Sequence, residues 1–200
     1  MILFRALSST TQPTDRRTSM RAAGCWLLVI ALGLLATANV ASAGSPPPDF
    51  KLKDIDGDWV TLSDKLGEDV VYVTFWATWC VPCRREMPHL QKLYDELGDE
   101  GLQIIGVNTD PPGTTSKIKP YVKRYKITYP TVLDPNNNVL DKYNPTRELP
   151  YGVLIDRDGN VREVFPGYRA GDEKHLREKV VQLLESENAA KADAPDSELE

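Results

Sequence analysis

The sequence is poor in the residues that build metal centres and stapled scaffolds, with 3 cysteines and 2 histidines in 200 residues. So few cysteines exclude a small fold held together by disulfides. Two cysteines, Cys80 and Cys83, lie close together; a zinc site would need two further ligands at suitable spacing. The remaining candidates, Cys25, His89 and His175, are scattered along the chain. Excess positive charge is missing as well. The net charge is −5, and residues 1–43 hold four Arg and one Asp, so the remainder carries −8. That balance argues against a nucleic-acid partner and is accounted for by solubility alone. There is no internal repeat, no phosphate loop and no Ser-His-Asp order. The length suits one domain with appendages.

Long apolar runs are scarce too. The one contender spans residues 22–38, after Arg16, Arg17 and Arg21 and before Ala41-Ser42-Ala43-Gly44. A basic stretch, an apolar stretch and a small-x-small site are the parts of a secretory signal. They predict a signal peptide over 1–43, cut before Gly44, with Met20 as an alternative start. The rival reading is an uncleaved membrane anchor, which needs ~20 apolar residues, close to the length of this run. A lipid-modified Cys25 fits less well, because that cysteine opens the apolar run and does not follow it. Both main readings place the rest of the chain outside the cytoplasm, in the periplasm, where thiols tend toward disulfides. Residues 44–48, ending Ser45-Pro46-Pro47-Pro48, read as a stiff linker. Residues 49–187 are the expected folded domain. Residues 188–200, Ala- and acid-rich with no apolar period, are expected to be disordered.

The chain is organised around Phe75-Trp76-Ala77-Thr78-Trp79-Cys80-Val81-Pro82-Cys83. Before it, Val70 to Phe75 is a β-branched and aromatic run, the mark of a buried strand. After it, Leu90, Leu93, Tyr94 and Leu97 recur at helical spacing, up to Gly98. Cys80 therefore falls at a helix N-terminus, where free N–H groups and the helix dipole favour a thiolate. Cys83 lies one turn on, within disulfide reach. Pro82 is tolerated there because its missing N–H would be unpaired anyway, whereas Pro88 is expected to kink the helix. This is the apparatus of thiol–disulfide exchange. Cys80 is the expected attacker, kept exposed, with Cys83 shielded as the resolving thiol.

Trp76-Ala77-Thr78-Trp79-Cys80-Val81-Pro82-Cys83 resembles the active site of the thioredoxin superfamily, and most closely its exported TlpA/ResA-like thiol–disulfide oxidoreductases. The resemblance covers roughly Pro48 to Leu184. It implies an α/β, thioredoxin-like fold with an N-terminal β-hairpin and a central strand–helix insertion. The residues agree in order. Phe50-Lys51-Leu52 and Trp59 to Leu62 alternate around Asp56-Gly57, the pattern of a hairpin. Leu102 to Val107 reads as a second buried strand. A helix capped by Thr115 or Ser116 follows, reaching Tyr125. Tyr129 to Leu133 and Val139 to Tyr143 are the insertion. Leu149 to Phe165 is a hairpin turning at Asp158-Gly159, and Asp172 opens a last helix through Leu184.

The resemblance also assigns roles. Pro150 matches the family's cis-proline, although an isolated X–Pro bond is more often trans; Leu149 before it would pair with an extended client. Trp76, Trp79, Val81 and Pro82 would shield the dithiol or receive the client; for the tryptophans, plain core or surface placement is the other reading. Thioredoxin carries a buried Asp six residues before its attacking Cys. Here that residue is Thr74, which is no base and is expected to leave the proton chemistry alone. Glu86, three residues after Cys83, matches a family Glu thought to serve the site, and is otherwise a solvated helix residue. His89 reads as a surface residue. No cofactor is implied beyond a Cys80–Cys83 disulfide, and no metal. The implied partners are client protein disulfides, apocytochrome c among the family's substrates, and a membrane thiol-reductant donor. Tyr151-Gly152 departs from the Thr-rich or Glu-bearing patterns common among apocytochrome c reductants. Val-Pro between the cysteines is closer to reductase pairs than to oxidant ones. Two further readings stay open: a peroxiredoxin-like thiol peroxidase, although Thr78 stands two residues before Cys80 and not three, and a non-enzymatic copper or metal binder.

Overall fold

The strand β3 (Val70–Trp76) is buried at every position, as expected of a strand covered on both faces. The computed structural model describes residues 44–192, all within one compact unit. Five strands form the sheet in the order β5-β4-β3-β6-β7. They are β4 (Leu102–Asn108), β5 (Thr131–Leu133), β6 (Tyr151–Ile155) and β7 (Val161–Pro166) around β3. β4 runs parallel to β3 with Thr74 opposite Gly106. β6 runs antiparallel to β3 with Phe75 opposite Tyr151. The expected N-terminal hairpin, β1 (Lys51–Lys53) and β2 (Trp59–Thr61), is a separate two-stranded sheet. Its turn is held by Asp54, whose Oδ1 accepts from the backbone N–H groups of Asp56, Gly57 and Asp58 at 2.8–2.9 Å. Gly57 takes φ +101°, a value that favours glycine.

Helices α1 (Val81–Leu97), α2 (Thr115–Arg124), α3 (Leu140–Tyr143) and α4 (Asp172–Ala192) complete the fold. Side chains alternate across a strand, so β3 feeds two cores. Tyr72 and Trp76 join Cys80, Cys83, Met87 and Leu90 of the α1 end and Leu176 and Val180 of α4. Val71, Val73 and Phe75 join Phe50 and Leu62 near the hairpin and Leu140 of α3. Each fully buried large apolar side chain contributes about 1.5–3 kcal/mol, so α1 is held by its apolar stripe despite Pro88 within it. β5 and α3 are the expected insertion. The buried Asp134 ties them together, its Oδ2 accepting from Val139 N and Leu140 N at 3.0 and 2.9 Å.

Two boundaries differ from expectation. The residue preceding α2 is Thr114, not Thr115 or Ser116, and it makes no side-chain cap bond; its hydroxyl donates instead to Pro111 O at 2.6 Å, closing the preceding turn. α4 extends to Ala192, so the tail expected to be disordered from Asn188 is helical over its first five residues. Once nucleated, a helix propagates at little cost through Ala- and Glu-rich sequence. The expected signal or anchor (1–43) and residues 193–200 lie outside the described residues.

Candidate active site

The end of β3 delivers the chain to the dithiol through a turn with its own clamp. Trp76 O accepts from the backbone N–H of Thr109 at 2.9 Å and from its hydroxyl at 3.2 Å. The buried Asp110 carboxylate takes the Thr78 N–H and the Thr78 hydroxyl, each at 2.8 Å, and the Asn108 side-chain amide at 2.8 Å. Cys80 N then donates to Ala77 O at 3.1 Å. Cys80 is the N-cap of α1, with φ −74° and ψ 108°, and its sulfur accepts from Cys83 N at 3.2 Å. Such a donor at a helix start favours a thiolate. Pro82 occupies the first turn, as expected.

Cys80 and Cys83 form a disulfide, with 5.3 Å between their Cα atoms. The exposure expected of Cys80 is not there: it is 3% exposed and Cys83 fully buried. The cap geometry is the reason, since it folds the Cys80 sulfur back over the first turn, and Trp76 and Ala77 pack in the same cluster. The residues meant to shield the site divide. Trp76 is 1% exposed and stacks on Tyr121 with ring centroids 5.4 Å apart, whereas Trp79 is 64% exposed beside Cys80 and Val81 is exposed too. Leu149 is half-buried and Pro150 buried. The Leu149–Pro150 bond is cis. The β3–β6 register pairs Phe75 with Tyr151, the residue after Pro150, and Pro150 O accepts from Gly167 N at 2.8 Å.

Glu86 is not a solvated helix residue. It is 5% exposed, one turn beyond Cys83. Burial pushes its carboxyl up from 4.5 to about 8, aided by Asp172 and opposed by hydrogen bonding from Tyr72 and Thr74. The Tyr72 hydroxyl donates to Glu86 Oε1 at 3.3 Å. Thr74 Oγ1 is buried without a partner at full hydrogen-bond geometry, yet it faces the carboxyl closely enough to favour its charged form. Thr74, expected to stand apart from the proton chemistry, therefore belongs to the Glu86 cluster: both point from β3 and α1 into the same core. Glu86 also lines a cavity of about 210 Å³ with His89, Phe165, Tyr168 and Asp172. His89 is exposed, as expected.

Tyr72 and Asp110 were missed by sequence reasoning. The period of two from Trp76 through Thr74 was the available signal for Tyr72. For Asp110 it was a carboxylate just past β4, at the sheet end where β3 meets the dithiol. Among the described residues, no three His, Cys, Asp or Glu side chains are grouped to hold a metal ion.

A redox-active cysteine pair capping a helix after the central strand of such a sheet defines a thioredoxin-fold thiol–disulfide oxidoreductase. Comparison agrees. Residues 43–164 match the AhpC/TSA family. The chain is 34% identical to the thiol–disulfide oxidoreductase ResA of Halalkalibacterium halodurans, over 86% of this chain and 97% of the relative. It is also 34% identical to ResA of Bacillus subtilis, over 76% and 86%. Among solved structures, a thiol:disulfide interchange protein of the thioredoxin family from Chlorobium tepidum TLS superposes with a TM-score of 0.61 at 25% identity, covering 70% of this chain and 97% of that one. A thiol:disulfide interchange protein from Bacteroides sp. gives 0.59 at 29%, covering 72% and 91%. The chain belongs to the AhpC/TSA family, as a ResA-like thiol–disulfide oxidoreductase.

Proposed function

We propose that the protein is exported and reduces disulfides of protein clients, with Cys80 attacking, Cys83 resolving and Glu86 managing the proton of Cys83. The Cys80 thiolate attacks one client sulfur; the client disulfide breaks, a mixed disulfide forms, and the departing client thiolate takes a proton from solvent. Cys83 then gives its proton to Glu86 in its ionised form and attacks the Cys80 sulfur. The Cys80–Cys83 bond forms, the second client thiolate leaves and is protonated, and two electrons have passed to the client. The observation that carries this reading is a buried acid, one turn past Cys83, raised to about 8. An acid raised out of the carboxylate range can accept and return a thiol proton more evenly than an ordinary carboxyl.

Leu149–Pro150 and the exposed Trp79 form the client-binding edge, with backbone pairing at Leu149. The oxidised pair then has to be re-reduced by a thiol donor at the membrane. Apocytochrome c is one client of suitable chemistry. The secretory pattern over residues 1–43 supports periplasmic placement; among the described residues no helix is long and apolar enough to cross a membrane. A peroxidase role has less support, because Thr78 is at the wrong spacing from Cys80.

Trapping tests the reading. Cys83→Ser should accumulate mixed disulfides with client proteins, whereas Cys80→Ser should trap none. Equal trapping by both variants would refute the order of attack. Separately, Glu86→Gln should flatten the pH dependence of the second step.

A further inference from the structure

One side chain that no motif singles out reaches the Glu86 carboxyl. Tyr72 lies two residues before Thr74 and four before Trp76, on the same face of β3. Its ring is fully buried, and its hydroxyl donates to Glu86 Oε1 at 3.3 Å. The phenol gets there only because position 152 has no side chain. A β-carbon on Gly152 would stand 1.9 Å from the Tyr72 hydroxyl oxygen and 2.5 Å from its ring carbon Cζ, far inside van der Waals contact. Phe165 on β7 closes the other side, edge-on at 5.8 Å between ring centroids and 77° between planes. The ring is thus held by its own strand, by the gap on β6 and by Phe165.

We propose that Tyr72 is the positioning residue of Glu86, a hydrogen-bond donor seated in the cradle that Gly152 leaves next to Pro150 and Tyr151. The inference rests on the reading of Glu86 as the acid of the dithiol. The phenol is itself pushed well above its ordinary value, by burial first and by Glu86 second. It therefore remains a donor over the whole working range of pH and passes no charge of its own. Other titratable groups act on the carboxyl or line the cavity it shares. Tyr129 lies ahead of β5; Tyr168, Asp172, Glu173 and His175 come from β7 to α4; and His89 comes from α1. Asp172 opposes the charged form of Glu86, whereas Tyr72 and, less strongly, Thr74 favour it. Removing the Tyr72 hydroxyl alone should therefore move Glu86 further toward the neutral acid.

The test uses Tyr72→Phe, which deletes one oxygen, in the full chain and in a Glu86→Gln background. The first readout is the pH dependence of the resolving step, followed with a disulfide-bonded peptide. The second is infrared titration of the Glu86 carboxyl in the oxidised protein, identified by difference from Glu86→Gln. Tyr72→Phe should raise both midpoints by about one pH unit, the worth of one ordinary hydrogen bond. In the Glu86→Gln background, where neither midpoint exists, it should leave the flat pH profile of the resolving step unchanged. Unmoved midpoints in Tyr72→Phe, with Glu86→Gln still abolishing the phase, would overturn the role of Tyr72 and leave that of Glu86 standing. A pH phase that survives Glu86→Gln would overturn both.

Discussion

Replacing Glu86 by Gln should change how the stability of the oxidised protein depends on pH. With the disulfide closed, Cys80 and Cys83 do not titrate, and the difference between wild type and variant isolates Glu86. In the unfolded chain the carboxyl ionises near 4.5; in the fold it does so near 8. The folded state therefore holds a proton that the unfolded state has lost, and stability falls as pH rises between the two values. The contribution of the neutral acid is fully present below about 4.5 and is lost as pH climbs through about 8. At about 1.4 kcal/mol per pH unit, that interval corresponds to about 5 kcal/mol, a third or more of the stability of a typical domain. Glutamine keeps the shape and has no proton to lose. Urea unfolding of both oxidised proteins from pH 5 to pH 9 measures the effect. The wild-type curve should decline relative to Glu86→Gln by about 1.4 kcal/mol per unit up to pH 8 and then run parallel. Curves that stay parallel within about 1 kcal/mol across the whole range would show that the carboxyl is not held neutral by burial, and the proton chemistry assigned to it would fall.

The two tryptophans should separate stability from client handling. Trp76→Ala should cost about 3–5 kcal/mol of stability by leaving a cavity. Trp79→Ala should stay within about 0.5 kcal/mol and slow exchange with protein clients roughly tenfold, the worth of one docking contact; equal stability losses would contradict the burial of one and the exposure of the other. Asp110→Asn should preserve the turn before Cys80, because its oxygen can accept from Thr78 N–H and Asn108 while its amide donates to the Thr78 hydroxyl. Asp110→Ala strands those donors and should cost about 1–3 kcal/mol, with slower exchange; denaturation curves in which both variants lose equal stability would argue for charge over hydrogen bonding. Intact-mass analysis of the protein recovered from cells should give a chain beginning at Gly44, and a retained apolar segment would identify an anchor in place of a signal.

Much of the molecule is legible along the chain. The strand Val70–Trp76, the helix from Val81 to Leu97 and the hairpin turning at Asp158-Gly159 each carry their own period or turn residues, because backbone conformation and amphipathic spacing are local properties. The site is legible at Cys80, Val81, Pro82 and Cys83 for the same reason: a cap, a proline in the first turn and a second thiol one turn on are neighbours in sequence. Long-range packing decided the rest. Cys80 is buried because its cap folds the sulfur inward against Trp76 and Ala77. Thr78 is held by Asp110, 32 residues away. Glu86 becomes a neutral acid only because the core closes over it. Tyr72 reaches it only because the antiparallel pairing of β6 with β3 brings a glycine, 80 residues later in the chain, against its ring. By itself the sequence determines which segments are strands and helices and where the two thiols stand. Which side chains share a buried space, and hence which protons are held there, depends on strand register and on the exclusion of water, and these exist only once the sheet is assembled.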